Sequence, residues 1–321
     1  MPLFGNEIVK KRRPRSQRDF LEMFSGVYVQ QQGTTCGFTG HDAWVVLSPI
    51  EQSIKRKIES VGKPLRDWDI SINYGIKTGY NEAFIITTER RDEILSNCKS
   101  EEERQRTEAI IRPILRGRDI KRYSYDWAGL WLINTHNGVK GKIPRIDIND
   151  YPAIKAHLDK FWDKIQTRAD QGDTPYNLRN CAYSDDFSQP KIVWIELTDE
   201  SKFALSTDGL IPLNTVFFMV GKHIKYLLAV INSSLIHWYF QHTLGSTSGV
   251  GTNRWLKYTV ECIPVPLIQD DAEWESLVDD IQEYKQDSKD SVDLENIIDN
   301  KVFDLYGLSK DERAYLNNCP K

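Results

Sequence analysis

Asp186, Glu200 and Lys202 stand in the order used by carboxylate–lysine nucleases, with the second acid and the lysine two positions apart. In such a site the acids gather Mg²⁺ and the lysine polarises water or the phosphate. The stretch Asp199-Glu200-Ser201-Lys202 also reads as a plain turn after an apolar strand, and that reading is preferred. A methyl-transfer site would need a glycine-rich turn behind a first strand, where S-adenosylmethionine can approach the backbone. It would also need an Asn-Pro-Pro or Asp-Pro-Pro turn to hold the target amine, and neither occurs in the sequence. The phosphate-cradling loop of ATPases and a serine nucleophile elbow are absent too. The six histidines are scattered, and His237 and His242 lie in an apolar helical stretch with no paired carboxylate. No catalytic residues are assigned, and enzymatic activity of the chain by itself is left open.

Binding chemistry is better represented. Between Arg104 and Arg145 there are 10 basic residues (Arg104, Arg106, Arg112, Arg116, Arg118, Lys121, Arg122, Lys140, Lys142, Arg145) against 3 acids (Glu108, Asp119, Asp126). Asn134, Asn137 and several glycines are interleaved with them. Phosphates are held by cations on mobile stems, guanine edges by arginine, and adenine edges by asparagine or glutamine. This segment supplies all of these residue types, although Asp119 is also placed to pair with Arg116 or Arg122. A second candidate is Gly251-Thr252-Asn253-Arg254, before Trp255 and Lys257, where the Gly-, Ser- and Thr-rich loop at 245–253 ends. A third is Lys77, Thr78 and Asn81, in a glycine-rich turn.

The charge distribution agrees. The net charge of −4 is uneven: Ile268–Lys321 carries 15 acids and 6 bases, or −9, so residues 1–267 carry −4 + 9 = +5. A mildly basic body with an acidic tail suits polyanion binding by the body. The five cysteines, Cys36, Cys98, Cys181, Cys262 and Cys319, are odd in number and lack CxxC spacing. That speaks against a zinc site or disulfide framework and for reduced thiols in the cytoplasm. No apolar run is long enough to span a membrane, and the early Lys10-Lys11-Arg12-Arg13 cluster is not followed by a signal-peptide core.

The elements that must position these residues are legible in part. Ser48-Pro49-Ile50-Glu51 is a capped helix start, and Ile50, Ile54, Ile58 and Val61 follow at helical spacing. Ile70–Ile72 and Ala83–Ile86 read as strands flanking the turn Gly75–Gly79. Ser100 and Glu103 open a second helix, which Pro113 must end. Leu130–Ile133 reads as a strand leading into a loop. A long helix is expected from Tyr151-Pro152 through Ile154, Leu158, Phe161 and Ile165 to Gly172. Lys191–Ile195 and Thr215–Val220 are buried-type strands, and Tyr226–Phe240 is a helical stretch broken near Asn232-Ser233. Trp255–Ile263 is expected to be extended, and the chain from Asp270 onward to be helical, with Ser309 and Glu312 capping the last helix. The absence of regular βαβ alternation gives an α+β body with a helical C-terminal appendage. The expected organisation is a basic, polar arm or linker over 1–43, a target-recognition domain over 44–267 and an acidic helical segment over 268–321.

Several of these stretches resemble a known family. Gly75-Ile76-Lys77-Thr78-Gly79-Tyr80-Asn81-Glu82-Ala83-Phe84 looks like the opening signature of TaqI-like C-terminal specificity domains, and Arg112–Tyr123 looks like the second. Pro190-Lys191-Ile192, Leu228–Ser233, Ile263–Pro266 and the tail Val302–Leu308 appear in the expected order. The resemblance implies sequence-specific recognition of duplex DNA as the specificity module of an adenine-N6 DNA methyltransferase or a fused type IIG restriction-modification enzyme. It implies a methyltransferase domain or subunit as partner. S-adenosylmethionine, and Mg²⁺ where a nuclease is fused, would belong to that catalytic part. The alternatives are a standalone Mg²⁺-dependent nuclease at Asp186, Glu200 and Lys202, or a protein-binding scaffold.

Overall fold

The computed structural model describes residues 47–198, 200–245, 247–248 and 252–319; the expected arm over 1–43 lies outside them. The chain divides between Ile54 and Lys55, inside the helix Pro49–Val61. On the first side, the Ser48 amide donates to Glu51 Oε2 at 2.6 Å and starts the helix as expected. The second part, Lys55 onward, holds every element discussed below.

Two four-stranded sheets form its frame. In the first, Ile70–Tyr74, Val216–Gly221, Lys191–Ile195 and Phe203–Ser206 lie side by side, each antiparallel to its neighbour. In the second the order is Ile85–Thr87, Leu130–Ile133, Ile111–Leu115 and Ile211–Pro212, with the last pair parallel. One apolar core joins them: Ile111, Ile114, Leu132 and Ile133 of the second sheet are continuous with Val193, Val216 and Phe218 of the first. Ile154, Leu158 and Ile165 cover it from the helical side. The chain mixes helices and sheets without parallel alternation, an α+β architecture.

Ile224–Asn232 is buried on nearly every side. That suits a helix apolar all round: it packs against the strands Phe203–Ser206 and Lys191–Ile195 on one side and against the C-terminal helices on the other. Ser233 breaks it from Ser234–Tyr239 and caps the second piece through the Ile236 amide. Helices Ala272–Gln286, Val292–Leu305 and Lys310–Asn317 follow. Trp274 meets Tyr226 edge-on at 5.3 Å between ring centres. The capping box at Ser309 and Glu312 forms as read, a motif worth about 1 kcal/mol.

Four expectations change. Ala83 and Phe84 sit in a short helix, Asn81–Phe84, and the strand is Ile85–Thr87. It joins a different sheet from Ile70–Tyr74, so the glycine-rich turn links two sheets rather than two paired strands. The long helix after Pro152 is broken into Pro152–Leu158, a 3₁₀ turn Asp159–Phe161 and Trp162–Ile165, and it stops well before Gly172. The stretch expected to be extended after Trp255 contains the helix Lys257–Val260. Thr107 and Ile110 complete the Ser100-capped helix, and Pro113 itself lies inside the strand that follows.

Candidate nucleic-acid interface

The basic segment is split by the sheet that carries it. Ile111–Leu115 and Leu130–Ile133 run antiparallel, with Ile111 opposite Ile133 and Pro113 opposite Trp131. Arg116 therefore leaves one end of the sheet while Asn134 leaves the other, roughly 15 Å away for strands of this length. The Asn134 amide donates to Ile110 O at 2.8 Å and fixes that second end.

At the second end the chain forms a small hairpin. Val139 and Ile143 exchange hydrogen bonds of 2.9 and 3.0 Å, and the Lys142 amide donates to Val139 O. Gly138 and Gly141 adopt positive φ of 72° and 78°. A Cβ at Gly138 would stand 2.5 Å from Ile143 O, so glycine is required there. Lys140 and Lys142 project from the tip, exposed, with no hydrogen bond or ion pair among the described residues. Arg145 is 3.6 Å from Asp173, an exposed and loose pair.

The hairpin rests on the loop that follows Ile165. Asn137 Nδ2 donates to Asp173 Oδ1 at 3.0 Å and to Asn180 Oδ1 at 2.7 Å, and its Oδ1 accepts from the Asp173 amide at 2.8 Å. The Leu178 amide donates to Thr135 O, and Thr135 Oγ1 to Tyr176 O. Residues 137–145 with Asp173 and Asn180 enclose a shallow groove of about 650 Å³. Beneath it lies a smaller cavity of about 70 Å³ whose lining includes Ile76, Asn134, His136, Leu178, Arg179 and Ser184. The Asn134 side chain is half-buried there and makes no hydrogen bond among the described residues. His136 Nδ1 faces the Gly138 amide at 3.2 Å, so it accepts and the ring proton is assigned to Nε2. Burial lowers the His136 pKa and keeps the ring neutral.

The glycine-rich turn adjoins this loop. Thr78 is buried, and its Oγ1 donates to Asn81 Oδ1 at 2.6 Å. Gly79 has φ of 69°, and a Cβ there would stand 1.8 Å from Ala169 O. Lys77 lies 5.2 Å from the centre of the Tyr74 ring with no carboxylate partner among the described residues. It lines a second groove of about 360 Å³ with Asn81, Asp170 and Asn214.

The remaining candidates sit at the other end and are mostly neutralised there. Arg116 forks onto Asp119 at 2.7 and 2.8 Å. Lys121 pairs with Asp126. Arg122 reaches Glu295 at 2.5 Å and donates to Asn232 O, tying the second signature to the C-terminal helices. Tyr123 beside it is fully buried with φ of 63°. Asn253 is buried in the short ladder with Leu197–Thr198. Arg254 pairs with Glu196, and Lys257 lies 3.7 Å from Glu261. Arg118 alone of this group is exposed without an acid among the described residues.

The nuclease arrangement is not assembled. Asp186 lies before the Lys191 end of the strand Lys191–Ile195, whereas Glu200 lies beyond its Ile195 end. Asp186 accepts from Asn73 and Gln189, and Glu200 faces Lys202 at 3.6 Å. Among the described residues no cluster of acids, histidines and cysteines could hold a metal ion.

Sequence reasoning missed the residues that build the platform: Arg168, Asp173, Arg179 and Asn180. The only signal was the polar run Asp170-Gln171-Gly172-Asp173-Thr174-Pro175, which marks a loop but not its partner.

The family model for the TaqI-like C-terminal specificity domain matches residues 112–265. That match begins at the second signature and includes the hairpin, the platform loop and the paired end. The type II methyltransferase M.PaeR7I of Pseudomonas aeruginosa is 22% identical over 282 residues, covering 86% of this chain and 45% of that protein. Among solved structures, the type IIL restriction-modification enzyme MmeI in complex with DNA superposes with a TM-score of 0.54 at 13% identity, over 87% of this chain and 37% of that one. The type IIG restriction endonuclease BpuSI gives a TM-score of 0.45 at 12% identity, over 80% and 33% respectively. The chain thus spans less than half the length of each of these proteins, and the likeness to MmeI is one of fold.

Proposed function

We propose that this chain recognises a specific duplex DNA sequence, as the specificity module of an adenine-N6 methyltransferase or of a fused restriction-modification enzyme. The observation that carries this is the hairpin at 138–145, which holds two lysines without an ion pair among the described residues over a shallow groove edged by Asn137, Asp173 and Asn180. Lys140, Lys142 and Lys77 act as point charges for phosphates, which set register without reading sequence. Asn134, whose amide has both a donor and an acceptor to offer, and the His136 Nε2–H lie behind them as base readers. Asn81 and Arg145 complete the rim. Arg116, Arg122 and Asn253 are engaged within the fold, and Lys121, Arg254 and Lys257 each already face an acid, so these are the weaker candidates for contact. The methyl donor, and any Mg²⁺, belong to a catalytic domain or subunit that works with this module. No helix among the described residues is long and apolar enough to cross a membrane.

The test is fluorescence anisotropy of the purified chain against a pool of random duplexes, at low and physiological salt, followed by sequencing of the bound fraction. Salt-sensitive binding with an enriched short motif is expected. Absence of binding at low salt, both alone and with a methyltransferase partner added, would overturn the reading in favour of a scaffold.

A further inference from the structure

Arg168 is 6% exposed, in a place where a guanidinium has no obvious use. Nη1 donates to Thr78 O and Asp170 O, both at 2.8 Å, and to Ala169 O at 3.5 Å. Nη2 donates to Pro175 O at 3.3 Å and to Asn177 O. Its carbon lies 4.6 Å from the centre of the Phe84 ring. None of the hydrogen bonds goes to a carboxylate; all go to backbone carbonyls, drawn from both ends of one loop and from the glycine-rich turn. A loop whose carbonyls point inward must have them satisfied, because a buried unpaired carbonyl costs about 1–3 kcal/mol. One planar fork of five donors can satisfy several carbonyls at once, whereas the three donors of a lysine radiate from a single atom.

What that loop carries gives the residue its importance. Gly172 N donates to Asn177 O and closes the loop on itself. From it, Asp173, Tyr176, Asn177 and Leu178 all bond to the segment 135–146. Asn137 is the main link, with both side-chain ends engaged on Asp173 and Asn180.

We infer that Arg168 and Asn137 are positioning residues for base reading: Arg168 sets the loop 169–178, and Asn137 locks the lysine hairpin to it, so neither touches DNA yet both determine which sequence is selected. This rests on the proposed DNA recognition. The contrast with the tip lysines is sharp, since those hold any phosphate whatever the loop beneath them does. Losing Arg168 or Asn137 should blur sequence choice and leave the salt response intact. Base contacts tolerate little displacement, and each lost one costs about 5- to 150-fold in discrimination.

The experiment uses the full chain with Arg168→Lys and Asn137→Ala. Hydrogen exchange is read at the amides of Val139, Ile143, Gly172, Asp173 and Leu178, and the enriched motif and the salt slope are read on duplex DNA. For Arg168→Lys, exchange should rise at least about tenfold in both loop and hairpin. The ratio of selected to random duplex affinity should fall about tenfold or more, with the salt slope unchanged. For Asn137→Ala, the hairpin and the Asp173 amide alone should lose protection, with the same loss of selectivity. Faster exchange confined to the loop in Arg168→Lys would overturn the coupling, as would unchanged selectivity in either variant. If Arg168→Lys does not fold, Asn137→Ala decides. If the wild-type chain selects no motif, DNA recognition fails as a reading, and the coupling of loop to hairpin stands or falls on the exchange data alone.

Discussion

The two ends of the Ile85–Pro212 sheet carry the same kinds of residue and use them differently. At one end Arg116, Lys121, Arg122, Arg254 and Lys257 each face an acid, namely Asp119, Asp126, Glu295, Glu196 and Glu261. At the other end Lys140 and Lys142 make no ion pair among the described residues, and Arg145 meets Asp173 only at 3.6 Å. A cation already paired must lose its partner before it can gain by meeting a phosphate, and its charge is screened from a distance by the neighbouring acid. An unpaired, exposed lysine releases counterions from DNA at no such cost. Density of basic residues along the sequence is therefore a poor guide to a binding face, and the fate of each charge is the better one.

The largest effect should come from the paired end, and it should be on stability. Arg122→Ala removes one member of a mostly buried pair and leaves Glu295 with only Lys285 and Ser291. A loss of about 3 kcal/mol is expected on urea unfolding, in the range for breaking a buried pair from one side. Affinity of the folded fraction for DNA should not move. A drop in affinity at unchanged stability would place Arg122 on the DNA and break the contrast between the ends.

Next comes the free end. Lys140→Ala with Lys142→Ala should leave the unfolding midpoint unchanged, because both side chains are exposed and make no hydrogen bond or ion pair among the described residues. Affinity for random duplex at physiological salt should fall by roughly tenfold or more, and the slope of log affinity against log salt should flatten by about 2. Anisotropy titrations across salt concentrations read both quantities.

How far the sequence foretold this division differs between fold and site. Caps were legible, because Ser48, Ser100 and Ser309 act on amides within three residues of themselves. So was the break at Ser233, for the same reason. The pairing of Arg116 with Asp119 was foreseeable at three residues' distance. Arg122 was not, since its acid lies 173 positions away. Arg168 was invisible for a related reason: its partners are carbonyls, which every residue has, and only tertiary folding brings Thr78 O to it across 90 positions. The helix after Pro152 was overread because Phe161 keeps the apolar period while its backbone departs from it, at φ −110° and ψ 14°.

Arg116 and Arg118 give a finer test within one signature. Arg116→Ala should cost about 1 kcal/mol, as a well-aligned but partly exposed fork does, and should leave the salt slope alone. Arg118→Ala should do the reverse if DNA wraps as far as this end: no change in stability and a slope flatter by about 1. No change in either quantity for Arg118→Ala would confine the footprint to the hairpin end. Flattening in both variants would mean that DNA displaces Asp119 from Arg116, and the distinction between paired and free cations would lose its force.

The smallest expected effect concerns His136, which lies beneath the hairpin. Burial lowers its pKa in the folded chain below the ordinary 6.5. The unfolded chain therefore takes up the proton first as pH falls. Stability linked to this ring is fully present above about pH 6.5 and declines below it, until the folded ring also protonates. Between pH 8 and 7 the folded ring stays neutral, so DNA affinity should be flat across that interval and His136→Gln should be flat as well. A wild-type affinity that climbs as pH falls from 8 to 7, and a variant that does not, would make the imidazolium a phosphate ligand. His136 would then join Lys140 and Lys142 among the free charges, and the neutral donor assigned to Nε2 would have to be given up.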